Sequence, residues 1–592
     1  MKKFFVGLLA AIGAFTLLIT VGIFVIISLS GPRVHPLQQP TILTIEISGP
    51  LVENDHVAEL ASLLGGKPMA LKDIVDAIDQ AAKDTNVVAL VLRLDHAKIG
   101  LAQAQEIRDA VKRFRKANTE NPKLTIAFAD SYGEASGTIP YYLATACQEI
   151  WLQPMGSVGL TGLYAESPFA REALDSLKLK PQVEGRREYK SLTESLTETD
   201  FTPASREALK VVLESFMQQI SKDIGKSRKL ASEQVRALVD KGPFLTQEAF
   251  DSGLVDKLGY FDEVPQWLSK RTDQKLPMIS TGKYLRRTPL LQAKPGQAKI
   301  ALIYGEGNIH RDRSHRVDPF GNLAMGAREM SYAFKKAVED PDVAAIVLRI
   351  NSGGGSPVAS ESIARAVTKA QSAGLPVIVS MSDMTASGGY WIAAFADKIV
   401  AHPGTLTGSI GVAAGKMVTG DFWAHWGINW KNVHVGENAG MWSSSEQFSQ
   451  RGWQRLNASL DAIYDAFLER VARGRNMSLG KAESVAKGRI WSGSDALKLG
   501  LVDQLGGMQV AIELAKQEAK LVDIEVPVEV FPHPLTVPQQ ILKLLNPDEN
   551  DETVSVGIMP QIMASIMRSV IAAKNWVLSG NDRTVEVDLA VS

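Results

Sequence analysis

Three groups of residues in this chain have types and settings suited to hydrolytic chemistry: a serine between glycines, a lysine, and a run of three glycines. Ser409 stands in Gly404-Thr-Leu-Thr-Gly408-Ser409-Ile-Gly411. Small flanking residues leave its hydroxyl accessible and let backbone approach closely, as a nucleophile requires. The segment Asn351-Ser-Gly353-Gly354-Gly355-Ser356-Pro357 joins an apolar strand-like run to a helix-like stretch. Glycines at such a turn expose backbone N–H groups at a helix start, so Gly354 and Gly355 could hold an oxyanion. The plain alternative is a tight turn that needs positive φ. Lys190, in Tyr189-Lys190-Ser191, is by type a solvated cation. It becomes a general base only where burial and nearby cations depress its pKa, and Arg186 and Arg187 are close in sequence.

An internal duplication singles these residues out. Gly253-Leu-Val-Asp256-Lys-Leu-Gly259 returns as Gly500-Leu-Val-Asp503-Gln-Leu-Gly506, and Val87 to Leu94 returns as Val343 to Ile350. Tyr141-Tyr-Leu-Ala, followed by Pro154, returns as Tyr390-Trp-Ile-Ala, followed by Pro403. The matches keep their order at a separation of roughly 250 residues, which marks a domain-sized tandem repeat. Each copy lacks what the other has. Where the second copy has its glycine loop, the first has Asp95-His-Ala-Lys-Ile-Gly100. Ser409 aligns with Leu160, and Lys190 aligns with Trp442. One copy thus retains a base, the other a nucleophile and an anion hole.

Bulk properties narrow the class. At 592 residues the chain exceeds one core, and 64 Lys+Arg against 65 Asp+Glu give no reason to expect nucleic acid. The single cysteine, Cys147, excludes an intrachain disulfide and lies in an apolar stretch that suits a small buried residue. No His/Cys or carboxylate cluster has metal spacing, and Gly411 to Lys416 misses the phosphate-loop spacing, so no cofactor is expected. After Lys2 and Lys3 an uncharged apolar run extends from Phe4 to about Leu29. Spanning a bilayer takes about 20 such residues, so 1–31 reads as a retained transmembrane anchor rather than a cleaved signal. The lysines before it favour a cytoplasmic N-terminus and place the rest on the far side, the periplasm in a bacterium.

The elements that must position the chemistry read as alternating strands and helices, an α/β pattern with largely parallel sheets. Val87 to Leu94 and Val343 to Ile350 are apolar without alternation, as strands covered on both faces are. The expected organisation is an anchor at 1–31, a first α/β repeat at 40–274, a connector at 275–297 and a second α/β repeat at 298–525. A linker and amphipathic, Met-rich tail fill 526–592.

The Ser-Gly-Gly-Gly loop at 352–355, Ala386-Ser-Gly-Gly-Tyr390, Thr407-Gly-Ser-Ile-Gly411, Tyr189-Lys-Ser191 and Gly488-Arg-Ile-Trp-Ser-Gly493 carry a resemblance to a family. The chain resembles the long, duplicated form of signal peptide peptidase A, a membrane-anchored serine protease family with a Ser/Lys dyad. The resemblance implies two tandem spiral domains of ββα units, like Clp protease and crotonase. It also implies Ser409 as nucleophile, Lys190 as base, hydrophobic peptide substrates such as cleaved signal peptides, a single-pass inner-membrane location and a homotetrameric ring. Three other readings stay open: a Clp-like pair of Ser387 with His402, a crotonase-like acyl-CoA enzyme, and a catalytically inactive scaffold.

Overall fold

The computed structural model describes residues 37–53, 69–118, 122–133, 137–288, 291, 293–311, 324–522 and 524–533. The expected anchor at 1–31 and the Met-rich tail lie outside the described residues. Among the described residues no helix is long and apolar enough to cross a membrane.

Two parallel sheets carry the duplication. The first runs, in spatial order, Lys257–Leu258, Glu149–Leu152, Leu124–Ala129, Val87–Arg93, Thr41–Glu46 and Met278–Ser280. The second repeats that order with Gln504–Leu505, Lys398–Ala401, Val377–Ala386, Val343–Ser352, Lys299–Glu306 and Val528–Val530. Even the irregularities recur. Each sheet has a register shift at its first strand, between Thr41 and Ile42 and between Lys299 and Ile300.

The central strands are apolar throughout because both faces are covered. Leu90 and Leu92 pack with Ile74, Ile107 and Phe114 on one side, while Ala89 and Val91 pack with Trp151, Val264 and Leu268 on the other. In the second sheet Ile346 and Leu348 face one core and Ala345 and Val347 the other. The repeated Gly-Leu-Val-Asp motif has the same task in both copies. Asp256 accepts from Ile150 N at 2.8 Å and Asp503 from Ile399 N at 2.7 Å, tying an edge strand to its neighbour. Arg228 grips Gly253 O and Asp256, and Arg475 grips Gly500 O and Asp503 in the same way.

The connector reading at 275–297 is corrected. Strand Met278–Ser280 pairs with Thr41–Glu46 as the edge of the first sheet, and helix Thr281–Arg287 buries Tyr284. Val528–Val530 completes the second sheet likewise, from within the stretch read as linker. Both strands are three residues long, too short to give a periodicity signal.

The two copies are joined by a polar core. Arg349, fully buried, donates from Nε to Glu53 at 2.7 Å and from Nη2 to Glu106 at 2.6 Å. Glu53 also accepts from Gln103 at 2.9 Å and from the Ser382 hydroxyl. Burial alone would push the Glu106 carboxyl up, but Arg349 and His402 beside it hold it well below the usual carboxylate range. Helix Leu101–Lys116 of the first copy thereby docks on strand Val377–Ala386 of the second. Asp383 accepts from Ala102 N at 2.8 Å and Gln103 N at 3.2 Å, capping that helix across the junction.

Candidate active site

A two-stranded ribbon carries Lys190 across the junction. Lys180–Gly185 pairs antiparallel with Ala413–Val418 of the second copy, which brings the following turn against the segment at 487–489. Tyr189 N donates to Lys487 O at 3.2 Å. Gly488, at φ +80°, permits the approach: a Cβ there would lie 2.6 Å from Lys190 N and 2.8 Å from its Cα. The Lys190 side chain then reaches two serines. Its Nζ lies 2.9 Å from Ser409 Oγ, 3.1 Å from Ser409 O and 3.1 Å from Ser387 Oγ.

Lys190 is only 9 % exposed, and burial lowers its pKa to about 8. The expected help from neighbouring arginines is absent. Arg186 is turned to Asp461 (2.6 Å) and Asn457, and Arg187 pairs with Glu483 at 2.9 Å. Desolvation, not repulsion, brings the titration of this amine toward neutral pH.

The two serines differ in backbone setting. Ser409 follows strand Leu406–Gly408 at φ +49°, and its N–H is taken by Arg489 O at 2.7 Å. Ser387 stands on the turn between strand Val377–Ala386 and helix Gly388–Ala393, with φ +52° and ψ −119°. A residue with a Cβ occupies that region only under strain, and a sharp strand-to-helix turn of this kind projects a nucleophile.

The glycine loop lies beside Ser387. A Cβ on Gly354 would meet Ser387 Cβ at 2.9 Å and Gly388 N at 2.6 Å, and one on Gly388 would meet Ser360 Oγ at 2.5 Å. Only glycines allow the loop and the helix start to touch. Of the two expected oxyanion donors, Gly354 N–H is engaged by Ser352 Oγ at 3.1 Å. Among the described residues the N–H groups of Gly355 and Gly388 have no acceptor. They are neighbours, since a Gly388 Cβ would lie 3.2 Å from Gly355 N.

The Ser387–His402 pair does not form. His402 is buried with Nε2 3.6 Å from Glu106, and among the described residues it makes no bond to Ser387. Cys147 is buried and its thiol is pushed up to about 12 by desolvation, so it stays unreactive. In the first copy the glycine loop and Ser409 are replaced, while Ser136 keeps the position of Ser387 in the sequence. Asp95 occupies the turn, bound to Arg93 and accepting from Asp130 N at 2.8 Å, and Leu160 is buried where the second copy has Ser409. What sequence reasoning passed over is the reach of Lys190 to Ser387. The available signal was Ala386-Ser-Gly-Gly, whose glycines supply a close approach and a free N–H.

Comparison with known proteins places this geometry in a class. The profile of peptidase family S49 matches residues 118–275 and 369–522, once in each repeat. The chain is 29 % identical over 528 residues to the chloroplastic serine protease SPPA of Arabidopsis thaliana, covering 88 % of this chain and 72 % of that one. It is 32 % identical over 503 residues to Protease 4 of Salmonella typhi, covering 81 % and 78 %. Among solved structures a ClpP1 mutant from Listeria monocytogenes aligns over 36 % of this chain and 94 % of that one, with 15 % identity and a TM-score of 0.24. That likeness is too distant to add to the fold reading. The chain is a serine protease and belongs to peptidase family S49, with the family's unit present twice.

Proposed function

We propose that this protease acts through Lys190 as general base and Ser387 as nucleophile, with Gly355 and Gly388 N–H groups as the oxyanion hole. The observation that carries the reading is the buried Lys190 Nζ, 3.1 Å from a serine on a strained turn beside two unengaged N–H groups. Neutral Lys190 takes the Ser387 proton as Oγ adds to the scissile carbonyl. The oxyanion forms against the two N–H groups, each worth roughly 3–4 kcal/mol when well placed. Lys190 then protonates the departing amine, and water, deprotonated by the same lysine, releases the acyl group. Ser409 holds the amine through its Oγ and carbonyl.

The sequence expectation gave the nucleophile's role to Ser409, and its shorter contact of 2.9 Å favours that second reading. Against it, the glycine loop and the N–H groups of Gly355 and Gly388 lie beside Ser387. Labelling of the detergent-solubilised chain with a serine-acylating probe separates them. Ser387→Ala and Lys190→Ala are expected to abolish labelling, while Ser409→Ala slows it. Label surviving in Ser387→Ala and lost in Ser409→Ala exchanges the two roles. An inactive scaffold would leave folded wild type unlabelled.

For substrates and setting, the motif resemblance supports hydrophobic peptides, cleaved signal peptides among them. The apolar run at 4–29 supports a single-pass anchor in a bacterial inner membrane with the catalytic repeats on the periplasmic side. A homotetramer completes the proposal, with no cofactor.

A further inference from the structure

The slot that holds Lys190 is built from positions without side chains. A Cβ on Gly411 would lie 3.3 Å from Lys190 Cδ, and one on Gly185 would lie 3.6 Å from its Cβ. Gly488 adds a third contact, so the stem of the lysine runs along backbone. Arg489 follows Gly488 and reaches both partners of the site. Its carbonyl accepts from Ser409 N at 2.7 Å. Its guanidinium lies 4.7 Å from the centre of the Tyr189 ring and 4.6 Å from that of Trp491, and Nη2 donates to Glu207 at 2.7 Å. The buried Nε has no acceptor among the described residues, so ring faces receive that part of the cation. Tyr189 immediately precedes Lys190, and Glu207 stands on helix Pro203–Arg228. One residue of the second repeat therefore ties together Ser409, the neighbour of the base and a helix of the first repeat.

The duplication sets this arginine apart from an ordinary ion pair. Leu406 pairs with Ser492, and Ser157 with Leu245, in corresponding antiparallel ladders. Three residues earlier, Arg489 therefore aligns with Gly242. The two positions meet aligned residues: Arg489 meets Ser409, while a Cβ on Gly242 would lie 2.1 Å from Leu160 O. The first copy has no room for a side chain there. The ring is lost as well, since Tyr189 aligns with Met441 in the second copy. Arginine and tyrosine are thus retained only where they face each other, at the junction that holds Lys190.

We infer that Arg489 is a positioning residue for the reaction: its hold on Tyr189 keeps the turn of Lys190 closed over the site, so that the amine stays dry and within reach of both serines. The inference rests on Lys190 as the base, and it holds for either serine as nucleophile. The pair with Glu207 contributes little by itself, because that carboxylate is 48 % exposed. The packing of the cation on the rings is the part that acts. Burial is the cause of the lowered Lys190 pKa, so a loosened turn that admits water returns the amine toward its ordinary value of 10.5.

The pH dependence of probe labelling in the full-length, detergent-solubilised chain tests this. Arg489→Met is expected to raise the labelling midpoint by about one pH unit and to slow labelling at pH 7 by about tenfold. Arg489→Lys keeps a cation for the rings and should recover most of the wild-type profile. Tyr189→Leu should raise the midpoint likewise, and combining it with Arg489→Met should add little, because each change breaks the same contact. Arg475→Met removes the comparable grip on Gly500 O and Asp503, and should lower thermal stability with the midpoint unmoved. The inference is overturned if Arg489→Met folds and loses only stability, with the midpoint still near pH 8. It is also overturned if Arg489→Lys behaves as Arg489→Met does. Where Arg489→Met does not fold, an unmoved midpoint in Tyr189→Leu overturns it alone. A wild-type profile with no midpoint, or labelling that survives Lys190→Ala, would instead remove the base on which the inference rests.

Discussion

Burial alone lowers the Lys190 amine to about 8, and this one residue has opposite effects on catalysis and stability. In the proposed mechanism the neutral amine is the base, so the rate of probe labelling should rise with pH, with a midpoint near pH 8, and level off above it. Lys190→Arg, permanently cationic, should lower the labelling rate by about 10²–10⁴-fold across that range. The folded state binds fewer protons than the unfolded state between pH 8 and 10.5, so this lysine makes stability rise with pH across that window. Below pH 8 the folded chain bears the full cost, about 3 kcal/mol, partly offset by the hydrogen bonds to the two serines. Lys190→Met should therefore abolish labelling while raising stability at pH 7 by about 1–3 kcal/mol, a gain that fades toward pH 10.5. Thermal denaturation at several pH values checks both signs; a destabilised Lys190→Met chain would show that the hydrogen bonds outweigh the burial cost.

At the scale of elements, the ribbon of Lys180–Gly185 with Ala413–Val418 and the cap of helix Leu101–Lys116 by Asp383 hold the two repeats in one register. Arg349 fixes that docking between Glu53 and Glu106. Removing it strands two buried carboxylates, so Arg349→Ala should cost about 3–5 kcal/mol and divide a single unfolding transition into two. Calorimetry of the variant reads this directly, and one unaltered transition would rule out the network as the coupling. Much of this architecture was legible in the chain. The apolar runs at 87–94 and 343–350 form central strands, Val87–Arg93 and Val343–Ser352, because both faces are covered. The edge strands Met278–Ser280 and Val528–Val530 were not, since their pairing depends on a neighbour distant in sequence.

For the whole molecule, a chain carrying residues 1–31 should stay with bacterial membranes through an alkaline wash, and one beginning after them should be released. Release of both would remove the anchor from the proposal. The duplication, the replacement of the glycine loop and of Ser409 in the first copy, and Lys190 as a candidate base were all readable from residue types in order. A sequence can show such features because they are comparisons between positions of one chain. Only the tertiary structure decided which serines the lysine reaches, that its pKa falls through burial rather than through Arg186 and Arg187, and which N–H groups lack an acceptor among the described residues. Those properties arise where strand Lys180–Gly185 meets Ala413–Val418 and the loop at 352–355 meets the turn at 387–388. They depend on distances between segments that are close only after the repeats have docked.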